Sequence, residues 1–416
     1  MYKVFSFSLI LITFKFVVNF VLTKLFALFL GPSGIALLGN FRSMMQLIVS
    51  SSSLGMQQGV IRFTSEFKDQ RTAFQKLLGT SQIIYGSCSV IIGLILFFFS
   101  NQLSAIVLQS TTYSWLFRVL AFVVPLQGFH TLYFSILQGL GDYKRVVWVE
   151  FTMSFLNLVV VGYATFTFGL IGALVAVACI PVLYFVVSVL VLKANTPPIK
   201  IIWSNWFAKN LFLYALMTLF SGIAFPLLFI MIRNRISSVL GLEYVGYWEA
   251  MNQFSHFYFI VLNSIILMYV LPRITSKTSD SFYRKQVVDY LKKLMPVFSC
   301  FLIVLFLLRK QAILLLLSTD FNAVESLFGW QLLGDFFRAL TLIFSIYFHA
   351  RRMATAYIVI DMLLFVSLFM FSYAWIDSLG LIGVVKAHFI SYLGYFLVTV
   401  FWLRKPLFNL NNTSNA

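Results

Sequence analysis

From Phe5 to Leu403 the sequence is a succession of long apolar stretches, broken only by short turns rich in Gly, Pro or charge. A helix rises about 1.5 Å per residue, so roughly 20 apolar residues cross the ~30 Å hydrocarbon core of a bilayer. Twelve candidate spans can be read on that basis. Six fall near 5–30, 37–61, 77–99, 115–138, 146–168 and 170–192. The other six fall near 210–232, 244–271, 294–308, 326–348, 355–376 and 379–403. Of the 416 residues only 10% are charged and 61% are apolar, whereas about a quarter of a globular domain is charged. These proportions exclude a soluble enzyme, a disordered chain and a disulfide-stapled secreted domain. The fold expected is an all-α polytopic membrane protein with twelve transmembrane helices.

The first apolar stretch outruns a signal-peptide core and has no A-x-A cleavage site, so it reads as the first span. Lys and Arg then test the assignment, because cytoplasmic loops are enriched in both. With the N-terminus inside, 20 of them fall on the inner side. Only Arg233, Arg235, Arg309 and Lys310 fall outside, and 6 lie in or near spans. Both termini are therefore expected in the cytoplasm. The net charge of +17 is mostly an orientation signal, and no nucleic acid partner is expected.

The chain also repeats itself. A shift of 211 carries Gly169-Leu170-Ile171-Gly172 onto Gly380-Leu381-Ile382-Gly383, Glu150 onto Asp361 and Tyr184 onto Tyr395. A shift of 212 carries 34–40 onto 246–252. Such agreement argues for duplication of a six-span unit. An even-numbered unit repeats with the same orientation, giving two six-helix lobes around a central cavity. The expected parts are an N-lobe at 1–195, an interlobe linker at 196–209 with Pro197-Pro198, a C-lobe at 210–405 and a tail at 406–416.

A charge in hydrocarbon costs about 2.5–3.5 kcal/mol at mid-depth on insertion scales, so intramembrane charges usually face protein or water. Span two carries Arg42, Gln46, Ser50, Ser53 and Gln57 on one helical face, and span eight carries Glu249, Asn252, His256 and Asn263. Span ten carries Gln331, Asp335, Arg338 and Ser345. Span one adds Lys15, Asn19 and Lys24, span four adds Arg118, and span twelve adds Lys386 and His388. These stripes predict a wet, mainly cationic chamber. For Arg42 and Lys24 the plainer reading is snorkelling to the interface. For Asp335 and Arg338 it is a closed i, i+3 pair, and for the histidines it is packing and hydrogen bonding.

No P-loop, H-E-x-x-H, Cys/His cluster or G-x-S-x-G elbow is present. Cys88, Cys179 and Cys300 sit in apolar runs and read as packing residues. No enzyme, cofactor or metal is expected. The longest outer segment, near 309–325, is largely apolar, which favours transport over the catalysis of multispanning sugar-lipid polymerases and ligases.

The residues Gly31-Pro32-Ser33-Gly34 with Asn40-Phe41-Arg42, Pro226 with Arg233, Val245-Gly246-Tyr247-Trp248, Leu271-Pro272, and Trp330-Gln331 with Gly334-Asp335 resemble, in order and spacing, the bacterial O-antigen flippase family. That family includes the flippase of the lipid-linked enterobacterial common antigen unit and belongs to the multidrug, oligosaccharidyl-lipid and polysaccharide exporter superfamily. The resemblance runs the whole chain. It implies a flippase that moves an undecaprenyl-diphosphate-linked oligosaccharide between leaflets of the bacterial inner membrane by alternating access. Membrane lipid, a polysaccharide polymerase and a chain-length regulator are the partners it implies. Lys24, Asn40, Arg42, Arg118, Arg338 and Lys386 are the expected cationic-cavity residues. Asp335, Glu249 and His256 are the coupling or ion-pair candidates, Glu249 being a departure from the family pattern. The alternatives are a cation-coupled multidrug exporter, whose pocket calls for carboxylates, and a non-transporting scaffold.

Overall fold

The computed structural model describes residues 2–193, 202–266, 274, 280–351 and 353–408. The described residues are helical almost throughout and include no strand. They divide into two compact units, Met1–Asn234 and Arg235–Ala416. Unit 1 holds α1 (Tyr2–Ser53), α2 (Gln57–Phe67), α3 (Arg71–Phe98), α4 (Ser100–Val107), α5 (Ser114–Leu140), α6 (Tyr143–Lys193) and most of α7 (Asn205–Leu240). Unit 2 holds α8 (Leu242–Ile265), α9 (Asp280–Asp289), α10 (Met295–Leu307), α11 (Arg309–Leu316), α12 (Phe328–Ala350), α13 (Ala354–Leu379), α14 (Leu381–Trp402) and α15 (Arg404–Phe408). Of the linker and tail expected from the sequence, 196–201 and 409–416 lie outside the described residues, as do Lys200, Arg273, Lys277 and Arg352 of the orientation count.

Nine helices among the described residues are long and apolar enough to cross a membrane. Two of them, Ile10–Ser53 and Tyr143–Leu192, are 44 and 50 residues long. At 1.5 Å per residue they reach about 66 and 75 Å, two bilayer crossings each. Each is bent at a glycine of positive φ, Gly31 (63°) and Gly169 (58°). With the 24-residue α8, the helices accommodate the twelve spans expected.

The faces turned outward are what water would not tolerate. Phe98, Phe122 and Phe168 are 72, 74 and 70% exposed, on surfaces that only lipid covers without penalty. Helix hydroxyls close on their own backbone four residues earlier, as Thr165 does on Val161 (2.6 Å) and Thr399 on Tyr395 (2.7 Å), which satisfies a donor that hydrocarbon cannot. The chain is an all-α, multi-pass membrane protein.

The duplicated sequence builds duplicated turns. Gly169 and Gly380 have nearly the same backbone, φ 58°, ψ −136° and φ 59°, ψ −144°, a region closed to residues with a Cβ. Three residues later, a Cβ on Gly172 would collide with the carbonyl oxygen of Ala164, and one on Gly383 with that of Trp375. In unit 1, α6 packs on α1 and α5; in unit 2, α14 packs on α12 and α13.

Two details differ from the sequence reading. Span nine is preceded by helix from Asp280, joined through a π-helical turn at Tyr290–Leu294, so Lys292 and Lys293 stand on a helix rather than in a loop. Arg233, read as an outer-loop charge, is 5% exposed inside α7. Its Nη1 donates to Ser43 Oγ at 2.8 Å. A guanidinium with a hydroxyl acceptor and the Phe229 ring 5.6 Å away needs no loop to reach water.

Candidate functional site

The densest polar cluster in unit 2 is centred on Asp335, which is fully buried on α12. Its Oδ2 accepts from Ser255 Oγ at 2.5 Å, from the Tyr258 hydroxyl and, at 3.4 Å, from Gln331 Nε2. Its Oδ1 lies 3.1 Å from His388 Nε2 of α14. Gln331 Nε2 also reaches Ser255 Oγ at 3.1 Å. Three helices thus converge on one carboxylate, and its acceptor sites are filled by side chains. Gly334 permits the approach: a Cβ there would strike the His388 ring. Gln331 and Asp335 are four residues apart and so share a helical face. His388, read from the sequence as a stripe residue whose plainer role is packing and hydrogen bonding, is part of the cluster. Nothing in the spacing of α14 marks it, because its partner is 53 residues away.

Arg338 does not close a pair with Asp335. Its side chain makes no hydrogen bond or ion pair among the described residues. Its guanidinium lies 4.2 Å from the Phe259 ring centre and 5.7 Å from that of Tyr392. Lys386 of α14 is held the same way, with Nζ 5.1 Å from the Trp330 ring centre. A cation over an aromatic face gains about 0.5–2 kcal/mol and keeps its N–H groups free for an anion.

In unit 1, Arg42 lies 4.9 Å from the Phe26 ring centre, and both Arg42 and Lys24 are half-buried on α1. Asn40 is fully buried and donates from Nδ2 to Asn234 Oδ1 at 3.4 Å. Arg118 is exposed on α5, its Nε bonded to Ser100 Oγ at 3.2 Å. Among the coupling candidates, Glu249 is buried and accepts from Gln253 at 3.2 Å, while His256 is exposed. The structure therefore joins Asp335 to Gln331 and His388, and leaves Glu249 and His256 out of that cluster. The sequence reading also missed an ion pair between Lys15 and Glu150, 2.7 Å apart across α1 and α6. Its signal was available in the two intramembrane charges.

The comparisons with known proteins agree with this architecture. The chain is 26% identical over 391 residues to the lipid III flippase of Escherichia coli (strain K12), a match that covers 92% of this chain and 94% of that one. The lipid III flippase of Shigella flexneri matches to the same extent. Among solved structures, the inward-facing conformation of a multidrug resistance MATE family transporter of the MOP superfamily superposes with a TM-score of 0.81 at 16% identity, covering 96% of both chains. The lipid II flippase MurJ in an inward closed conformation gives 0.74 at 15% identity, covering 97% of this chain and 88% of that one. Those two likenesses bear on the fold. A family model described as polysaccharide biosynthesis protein matches residues 25–326, 302 of the 416 residues, and the chain belongs to the polysaccharide biosynthesis protein family.

Proposed function

We propose that this protein is a flippase that carries an undecaprenyl-diphosphate-linked oligosaccharide, such as an O-antigen repeat unit, from the inner to the outer leaflet of the bacterial inner membrane. The observation that carries this reading is the way Arg338 and Lys386 are held: on aromatic rings, with no carboxylate bonded to them among the described residues. Membrane cations with no carboxylate hydrogen-bonded to them among the described residues are suited to an anionic ligand, and Arg offers bidentate contact to phosphate. In unit 1, Arg42, Lys24 and Asn40 of α1 are the residues this reading assigns to phosphate and sugar hydroxyls. The lipid III flippases are relatives over almost the whole chain, which supports a lipid-linked glycan as cargo and a carrier rather than an enzyme.

With the cell interior negative, each negative charge moved outward gains about 2.3 kcal/mol per 100 mV. The potential alone drives export of a diphosphate. Alternating access by the two copied units is the mechanism this reading implies, with both termini in the cytoplasm. Asp335 is the coupling residue proposed, since His388 and Tyr258 offer it two routes for a proton. A polysaccharide polymerase and its chain-length regulator are the partners that would take up the flipped unit.

The test is flipping in proteoliposomes loaded with a lipid-linked oligosaccharide diphosphate. Arg338→Ala with Lys386→Ala is expected to lower the initial rate at least tenfold. Full activity in that double variant, or export of a fluorescent lipophilic cation in place of the glycan lipid, would overturn the reading.

A further inference from the structure

A cavity of about 270 Å³ lies within unit 1, among α1, α5 and α6. It is lined by Lys15 and Asn19 of α1, Phe134 of α5, and Glu150, Asn157 and Tyr184 of α6, with Ser154 beside them. Its volume is just under the ~300 Å³ at which small-molecule sites begin, room for roughly one sugar ring.

In unit 2 the acid and the tyrosine at the equivalent sequence positions are buried. There Asp361 and Tyr395, the counterparts of Glu150 and Tyr184, are joined by a 3.1 Å hydrogen bond from the tyrosine hydroxyl. In unit 1 the Lys15 ammonium takes the carboxylate at 2.7 Å, and the Tyr184 hydroxyl makes no hydrogen bond among the described residues. In the sequence alone, the same shift pairs Lys15 with the uncharged Pro226.

The polar groups left over point to the ligand. The carboxamides of Asn19 and Asn157 make no hydrogen bond to protein among the described residues, like the Tyr184 hydroxyl. Each amide brings two donors and an acceptor, and inside a membrane such groups are costly unless water or a ligand meets them. The only fixed charges on the wall cancel each other, so neither a lone anion nor a lone cation is favoured. Uncharged donors and acceptors beside the aromatic rings of Phe134 and Tyr184 fit a neutral polyhydroxylated ring. The wall is also rigid: Phe14 stacks on Phe151 at 4.2 Å next to the ion pair, and Leu137, Val149 and Met153 form a buried cluster against Phe134 and Tyr184.

We propose that this cavity is a glycosyl subsite that receives one neutral sugar ring of the cargo and so sets which glycans are accepted. This rests on the flippase reading for the identity of the cargo, but its direct test does not. In the full-length protein with Cys88, Cys179 and Cys300 changed to Ala, Ser154→Cys places a near-isosteric thiol on the cavity wall. Labelling of that thiol by a maleimide in detergent is followed with glucose, N-acetylglucosamine or sodium chloride added. A sugar is expected to slow labelling at least threefold, and Asn157→Leu or Lys15→Leu with Glu150→Leu to abolish the protection. Absence of protection by either sugar, or protection by sodium chloride alone, overturns the subsite. Should the wild type flip lipid-linked glycans while the thiol goes unprotected, the subsite fails and the flippase reading stands. Should the thiol be protected while no glycan lipid is flipped, the flippase reading fails and a sugar site remains.

Discussion

Glu150 in unit 1 and Asp361 in unit 2 occupy the same place in a duplicated sequence, yet the two carboxylates live differently. Asp361 is 5% exposed and bonded to a tyrosine that is itself buried. Glu150 is half-buried, faces a cavity and is held by a lysine from another helix. Unit 2 meets the cost of an acid in hydrocarbon by burying it among hydrogen bonds, as it does more fully at Asp335. Unit 1 meets it with a counter-charge and leaves room beside it. A membrane acid is thus not a site by position alone; the residue that answers it decides whether the surrounding polar groups are consumed or left for a ligand.

The largest expected effect comes where consumption is most complete. Asp335→Ala removes the acceptor for Ser255, Tyr258, Gln331 and His388 together. Breaking a buried charged network by deleting one partner costs about 3–5 kcal/mol. The apparent Tm of the detergent-solubilised protein should drop steeply, and further than for Asp335→Asn, which keeps acceptor capacity. Equal stability of the Ala variant and wild type would mean that the cluster does not hold α8, α12 and α14 together.

A smaller effect tests the repeat directly. Tyr395→Phe deletes a hydroxyl bonded to a buried carboxylate, a contact of about 1.5–3 kcal/mol. Tyr184→Phe deletes the equivalent hydroxyl where no group among the described residues uses it, so its cost should stay within about 0.5 kcal/mol. Denaturation of the two single variants side by side reads the difference. If both lose the same stability, the contrast between a closed and an open copy is wrong.

Much of this was legible in the sequence, for reasons that can be named. Apolar run length reports the solvent, so the spans and class of fold followed from it. The copied Gly169 and Gly380 appear because a positive φ admits little else. The aromatic-held cations were half legible: Arg338 and Lys386 stood out as charges in apolar runs, but Phe259 and Trp330, which hold them, looked like any other core residue. The partners of Asp335 and Glu150 were hidden, because His388 and Lys15 lie 53 and 135 residues away from them. Helical periodicity places a residue on a face without saying which helix that face meets. For that reason the sequence offers Arg338, three positions away, as a partner of Asp335, whereas the structure gives the carboxylate to His388 and the guanidinium to two rings.

Arg118 supplies the smallest expected effect and the sharpest control on the cationic site. It was grouped with Arg42 and Arg338 because all three are arginines inside apolar runs, and an insertion penalty alone cannot separate them. The structure does: Arg118 is exposed, bonded to a single hydroxyl and not stacked on a ring, whereas Arg338 is half-buried between Phe259 and Tyr392. An exposed arginine with one neutral acceptor contributes little stability, so Arg118→Gln should shift unfolding by no more than about 0.5 kcal/mol. Its initial flipping rate in proteoliposomes should stay within twofold of wild type while Arg338→Gln falls well below it. Equal losses in the two variants would show that aromatic support does not distinguish a working cation from a bystander, and that charge anywhere on these helices is enough.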